Sequence, residues 1–215
     1  MLRAARSRAG QAITCGVMRT PPLPAPPVAD PGARRALSLL RRSGPVGRGV
    51  VKADIAVYRA VRGLPRRPTT VARVRAFSRT GEHAACWLAL GAAGQAVDRE
   101  RRDAWRRATA GVVVAYVANT ALKQVFRRRR PLLDGLPALI RTPTALSFPS
   151  AHASSSFAAA QAFAPLAGPA AVPLRITAGA MALSRVYLGV HYPSDIVVGA
   201  LLGTFVGSRF REARP

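Results

Sequence analysis

Apolar residues fall along this chain in blocks, not at an even density. Five stretches, 84–97, 108–126, 151–166, 174–190 and 195–209, are rich in Ala, Val, Leu and Gly and nearly free of charge. A helix of about 20 apolar residues crosses a hydrocarbon core about 30 Å thick, so the five blocks predict five membrane spans, the first completed by its flanks. Asn119, Thr120 and Lys123 are the strongly polar members of the second block, and Arg185 lies inside the fourth. Such residues should face the bundle interior, because unpaired charge in lipid is costly. Gly199, Gly203 and Gly207 recur at spacing four in the last block, a ridge along which another helix can approach closely. Pro165, Gly168 and Pro169 break the third.

Two weaker amphipathic pieces precede the spans, over 51–83. In the first, Asp54 is placed to cap a helix bearing Ile55, Val57, Tyr58 and Val61, which ends before Gly63 and Pro65. The second starts near Thr69 or Thr70, with Val71, Val74 and Phe77 on one side and Arg73, Arg75 and Arg79 on others. Both fit interfacial helices, with Arg reaching lipid phosphates; an ordinary soluble helix is the plainer alternative. Residues 1–50 hold no sustained apolar period. They carry Pro21-Pro22-Leu23-Pro24 and paired arginines, and read as a flexible basic tail that fits a secretory signal poorly. The fold class is therefore all-α: a polytopic membrane helix bundle over 84–210, with interfacial helices before it and a disordered tail.

Composition sharpens this picture. The chain has 215 residues, 49% of them hydrophobic, yet a formal charge of +24. Greasiness and charge coexist because they are segregated, which disfavours a small soluble enzyme and excludes collagen or a wholly disordered chain. The charge invites a nucleic-acid reading, but no nucleic-acid motif accompanies it, so no such partner is expected. Cys15 and Cys86 lie in unlike contexts and imply no disulfide framework.

Three segments hold the membrane-edge chemistry: Lys123 to Arg130-Pro131, then Phe148-Pro149-Ser150-Ala151-His152, then Ser184-Arg185 to His191 and Asp195. Each sits at the end of a predicted span, and alternating spans bring all three to one side of the membrane. Three cations facing one cavity repel unless an anion with several oxygens neutralises them, and phosphate suits guanidinium forks. Ser150 and backbone N–H groups at a helix N-terminus add donors. One histidine beside the cations should be neutral and nucleophilic. Asp195, four residues past His191, can accept its other ring N–H, and the second histidine can protonate a departing alkoxide. Two histidines and a carboxylate also make a metal-ligand set, but neighbouring Lys and Arg oppose a dication. No metal or cofactor is expected.

Lys123 with six residues before Arg130-Pro131, Pro-Ser-Ala-His, and Ser-Arg with five residues before His191 and three before Asp195 resemble the three-part signature of the phosphatidic acid phosphatase type 2 superfamily of membrane lipid phosphatases. The resemblance covers roughly residues 123–195. It departs at Ala151, where the family usually has Gly; a methyl is added and the backbone N–H kept. The resemblance implies that His191 attacks phosphorus to give a phosphohistidine, that Asp195 orients it and that His152 is the general acid. Lys123, Arg130, Ser150, the Ala151 N–H and Arg185 would hold the phosphate oxygens. Arg127–Arg129 are taken as an interfacial anchor. Glu82-His83 is a helix start or, alternatively, a contact to the substrate head group. Thr80-Gly-Glu-His83, Leu146–Ser154 and Met181–Asp195 are further similar to an actinobacterial subgroup proposed to dephosphorylate decaprenylphosphoryl-5-phosphoribose.

The expected partners are thus a lipid phosphate and the plasma-membrane bilayer. Undecaprenyl pyrophosphate, phosphatidic acid and phosphatidylglycerophosphate are the alternative substrates. A silent scaffold binding anionic lipid is the alternative of another class, disfavoured by intact His152, His191 and Asp195. Counting the whole basic tail under the positive-inside rule leans the site toward the cytoplasm.

Overall fold

The computed structural model describes residues 45–133 and 135–212. The basic tail read over 1–50 lies outside these except at its end, which is helical. Among the described residues seven α-helices follow in order: α1 Pro45–Gly63, α2 Pro68–Thr80, α3 Ala85–Val97, α4 Arg102–Phe126, α5 Ala151–Ala167, α6 Ala171–Tyr187 and α7 Pro193–Arg209. Short 3₁₀ turns, Glu82–Ala84 and Gly168–Ala170, lead into α3 and α6. No strand forms among the described residues; an isolated bridge between Arg129 and Leu146 pins the long α4–α5 loop.

Local chemistry sets the helix starts. Pro68 and Pro193 occupy the first turns of α2 and α7, where a missing N–H costs nothing. Ser150 caps α5, its hydroxyl accepting from Ala153 N at 3.4 Å. Pro165 does not break α5, which continues through it to Ala167.

Helix α5 is the central post, flanked by α4, α6 and α7. Its face is built from Ala153, Ala158, Ala159, Ala162 and Phe163, all fully buried. The α7 glycines lie against α5 as the ridge predicts. A methyl on Gly199 would meet Ser150 O, one on Gly203 would meet Ser154 O, and one on Gly207 would meet Ala158 O. Two side-chain pairs join helices inside the bundle: Trp87 Nε1 donates to Ser156 Oγ at 2.9 Å and Asn119 Nδ2 to Ser154 Oγ at 2.8 Å.

By length and hydropathy, one helical stretch among the described residues is suited to cross a membrane unaided: Ala151–Tyr187, with a mean hydropathy of 1.3 over its best window. Helices α4, α6 and α7 nevertheless turn Val113, Val117, Val125, Ile176, Leu183, Leu201 and Phe205 outward.

Helix α1 departs from the expectation. It begins at Pro45, so Asp54 lies in its middle and caps nothing. Asp54, Tyr58 and Arg62 recur at spacing four, share one face and are buried. That face docks on the α6–α7 connection. Tyr58 OH donates to Gly189 O at 3.2 Å, and Arg62 donates to Tyr187 O at 3.1 Å and to Pro137 O. The inward side of α1 is therefore its polar one, and its arginine at position 62 serves protein carbonyls instead of lipid phosphates. Helix α2 keeps most of the expected pattern, with Val71, Val74 and Phe77 half-buried and Arg73 and Arg79 exposed, but Arg75 is half-buried and donates to Leu139 O at 2.8 Å.

Candidate active site

The end of α4, the starts of α3, α5 and α7, and the end of α6 lie at one end of the bundle. There they enclose a cavity of about 150 Å³ lined by Lys123, Arg130, Ala151, His152, Arg185 and His191, together with Glu82 and His83. Residues far apart in the chain thus share one small space, because successive helix ends and the long α4–α5 loop, which carries Arg130, meet at this end.

His191 sits on the α6–α7 connection and is 2% exposed. Arg130 Nη1 lies 3.2 Å from its Nε2. A guanidinium can only donate, so Nε2 carries the lone pair and Nδ1 the hydrogen. Nδ1 faces Asp195 Oδ2 at 3.4 Å but makes no hydrogen bond among the described residues. The carboxylate is within reach of the ring N–H, but the contact is not aligned as a hydrogen bond. Burial, then the charges of Arg130, Lys123 and Arg185, hold the imidazole well below its ordinary pKa, against a small opposing pull from the Ser147 backbone. It is neutral at pH 7, with its free lone pair toward the cations.

Arg130 is fixed by three contacts: Nε to Thr144 O at 2.9 Å, Nη1 to Val190 O at 2.7 Å, and the His191 contact. Burial lowers its pKa to about 10, partly offset by Asp195, so it remains a cation at pH 7. Lys123 Nζ reaches Leu146 O at a long 3.4 Å. Arg185 is 5% exposed and donates to Ser78 Oγ, while its Nε has no partner among the described residues. None of these three cations is ion-paired to a carboxylate among the described residues. The Ser78 carbonyl accepts from His152 Nε2 at 3.1 Å, which leaves His152 Nδ1 for proton exchange.

One expected phosphate ligand is placed differently. Ser150 does not line the cavity: it is buried, its hydroxyl is spent on the α5 cap, and its N–H donates to Asp195 O at 3.0 Å. Asp195 lies behind His191, away from the cavity. His83 lines the cavity, hydrogen-bonded to Tyr116 OH at 2.8 Å. It and Ala84 take left-handed φ of 50° and 61°, a conformation that costs a non-glycine residue of order 1 kcal/mol.

The residues that spacing missed are Arg128 and Asp54. Arg128 is not an outward anchor. Its Nη1 donates to Asp195 Oδ1 at 2.9 Å and to Ser194 Oγ at 2.7 Å, and its Nη2 donates to Asp54 Oδ2 at 2.8 Å. Asp54 also accepts from Ser194 N at 2.7 Å and Ser194 Oγ at 2.6 Å. Asp195 Oδ2 accepts from Tyr192 N at 2.8 Å, and Arg128 stacks 4.1 Å over the Tyr192 ring. A charged clamp from α1 thus holds the carboxylate that backs His191.

The profile of the PAP2 superfamily matches residues 104–213, and the chain belongs to that superfamily; it is a membrane phosphatase. Among its relatives, the decaprenylphosphoryl-5-phosphoribose phosphatase of Mycolicibacterium smegmatis is 43% identical over 71% of this chain and 82% of that protein. The enzyme of the same name from Mycobacterium tuberculosis is 42% identical over 75% of this chain and 88% of its own. Two crystal structures share the fold. Aquifex aeolicus LpxE superposes with a TM-score of 0.63 at 24% identity, covering 73% of this chain and 93% of that one. A transmembrane PAP2-type phosphatidylglycerolphosphate phosphatase from Bacillus subtilis gives 0.60 at 22%, covering 83% and 91%.

Proposed function

We propose that this chain hydrolyses the 5-phosphomonoester of decaprenylphosphoryl-5-phosphoribose, with His191 as nucleophile. The observation that carries the chemistry is the meeting of a neutral imidazole with Lys123, Arg130 and Arg185, cations that no described carboxylate neutralises, in one cavity. The substrate is read from the two mycobacterial relatives, at 43% and 42% identity over most of both chains.

In this reading the phosphate dianion takes Lys123, Arg130, Arg185 and the Ala151 N–H, and Arg130 gives up its contact to the His191 ring. The freed Nε2 lone pair attacks phosphorus in line, forming an N–P bond as the P–O bond to the sugar breaks. His152, protonated once the phosphate dianion sits beside it, supplies a proton to the leaving sugar oxygen and becomes neutral. Asp195, steadied by Arg128, offsets the positive charge that develops on His191. Water then attacks the phosphohistidine, giving its proton to His152; the N–P bond breaks and inorganic phosphate leaves. Positioning and fixed positive charge do the work in phosphoryl transfer, and no metal enters the scheme.

We further read the bundle as multi-pass in the plasma membrane, supported by the outward apolar residues of α4, α6 and α7. The site is read as cytoplasmic, on the positive-inside rule with the basic residues of 1–50 counted on its side. A cysteine at Leu132, in a background lacking Cys15 and Cys86, should label from the cytoplasmic side only.

Purified protein in detergent should release phosphate from decaprenylphosphoryl-5-phosphoribose at a higher kcat/KM than from phosphatidic acid, phosphatidylglycerophosphate or undecaprenyl pyrophosphate. EDTA should leave the rate unchanged. Release by the His191→Ala protein at the parental rate, or preference for another member of the panel, would remove this reading.

A further inference from the structure

Beside the catalytic cavity lies a second, larger one of about 530 Å³, lined by Arg75, Arg79, Arg141, Arg185, Ser78 and Glu82 among others. Glu82 and Arg185 line both, so the two spaces meet across these side chains. Four arginines face one carboxylate, and none of the five is ion-paired among the described residues. The arrangement is built, not incidental. Arg75 Nη2 donates to Leu139 O at 2.8 Å, tying α2 to the α4–α5 loop that carries Arg141. The buried Nε atoms of Arg75 and Arg185 have no partner among the described residues. The His191-centred reaction uses none of Arg75, Arg79 or Arg141.

We propose that this second cavity binds a phosphodiester of the substrate while the substrate's phosphomonoester occupies the catalytic cavity, with Arg79 and Arg141 as specificity-determining residues. The inference rests on the functional reading above, because its substrate carries two phosphorus groups on one sugar. Guanidinium forks match phosphate oxygens. Arg185 between the cavities can serve both anions, and Glu82 at the junction can accept from sugar hydroxyls lying between them. A phosphodiester held beside α2 leaves the attached prenyl chain free to run toward the bilayer.

The test is the Arg79→Gln/Arg141→Gln protein, both sites being exposed, assayed beside the parent in the same mixed micelles. Substrates are decaprenylphosphoryl-5-phosphoribose, with a diester and a monoester, and phosphatidic acid, with a monoester alone. The expected result is a KM for the two-phosphate lipid that rises about tenfold more than the KM for phosphatidic acid, on the usual strength of charge-assisted hydrogen bonds. If the cavity instead takes a headgroup of the surrounding lipid, both KM values move by the same factor, and that result overturns the proposal. So does a variant in which neither value moves. A parent enzyme that shows no preference for the two-phosphate lipid overturns the functional reading and this inference with it. A parent that keeps the preference while the variant's ratio is unaltered overturns this inference alone.

Discussion

Two groups of arginines lie within one loop's reach of each other and are treated in opposite ways. Arg128 is shared between Asp54 and Asp195 at 2.8 and 2.9 Å, and its remaining contacts are a serine hydroxyl and an aromatic face. Arg130, two residues on, is given carbonyls and a histidine but no carboxylate. With Lys123 and Arg185 it leaves three positive charges around a cavity. The clamp is complete as it stands, whereas the cavity is electrostatically unfinished until an anion arrives. A cation already matched by carboxylates holds structure together; a buried cation left without one is available for substrate.

The largest effect expected from this contrast is on turnover. Arg130→Gln should lower kcat/KM by about 10²–10³-fold, the usual consequence of removing one charge-stabilising donor, with little change in thermal stability. A variant that unfolds instead would put Arg130 with the clamp. Next come the clamp residues. Asp54→Ala leaves Arg128 half-matched and should cost about 3 kcal/mol of stability, read as a lower midpoint in a detergent thermal melt. Asp54→Asn with Arg128→Gln should lose less than the two single changes summed; strict additivity would show the pair to be uncoupled. A smaller effect concerns pH. Because the His191 pKa is held well below 6.5 by burial and then by Arg130, the neutral nucleophile persists as pH falls through 6.5. The His191 acid limb of kcat/KM should therefore lie below the ordinary histidine range. Removing the Arg130 charge should raise that pKa and move the limb to higher pH, and a limb that stays fixed would contradict the assigned cause. Smallest is Arg129→Ala, an exposed neighbour in the same run, expected to change activity by less than about twofold.

The contrast also explains how much could be read from sequence. Apolar blocks matched α3, α5, α6 and α7 to within three residues, because a bundle helix must bury or expose whole faces; α4 starts six residues before its block, in the charged run from Arg102. Of the cavity-lining residues, Lys123, Arg130, His152, Arg185 and His191 were legible because each lies in or just beyond the end of an apolar block, and Ala151 through the family resemblance. Arg128 was not. In a run of four arginines, composition cannot tell which one turns inward, and its partners lie 67 and 74 positions away. Helix α1 was misread for the same reason. It was read as an interfacial helix, but Asp54, Tyr58 and Arg62 are buried by partners 74 to 140 residues distant, and no local pattern encodes those. Ser150 was read as a ligand because it stands at a helix N-terminus within the resembling motif. The helix start needed its hydroxyl for a cap, so local backbone satisfaction took precedence.

The claim that cations hold the phosphate while His191 breaks the ester is tested most directly by trapping the covalent intermediate. Substrate labelled with ³²P in the monoester is mixed with enzyme, quenched in base during turnover, and the labelled peptide identified. A base-stable, acid-labile label on the peptide containing His191, absent from His191→Ala, is the result this account predicts. Turnover with no trapped label, or label on another residue, would contradict it.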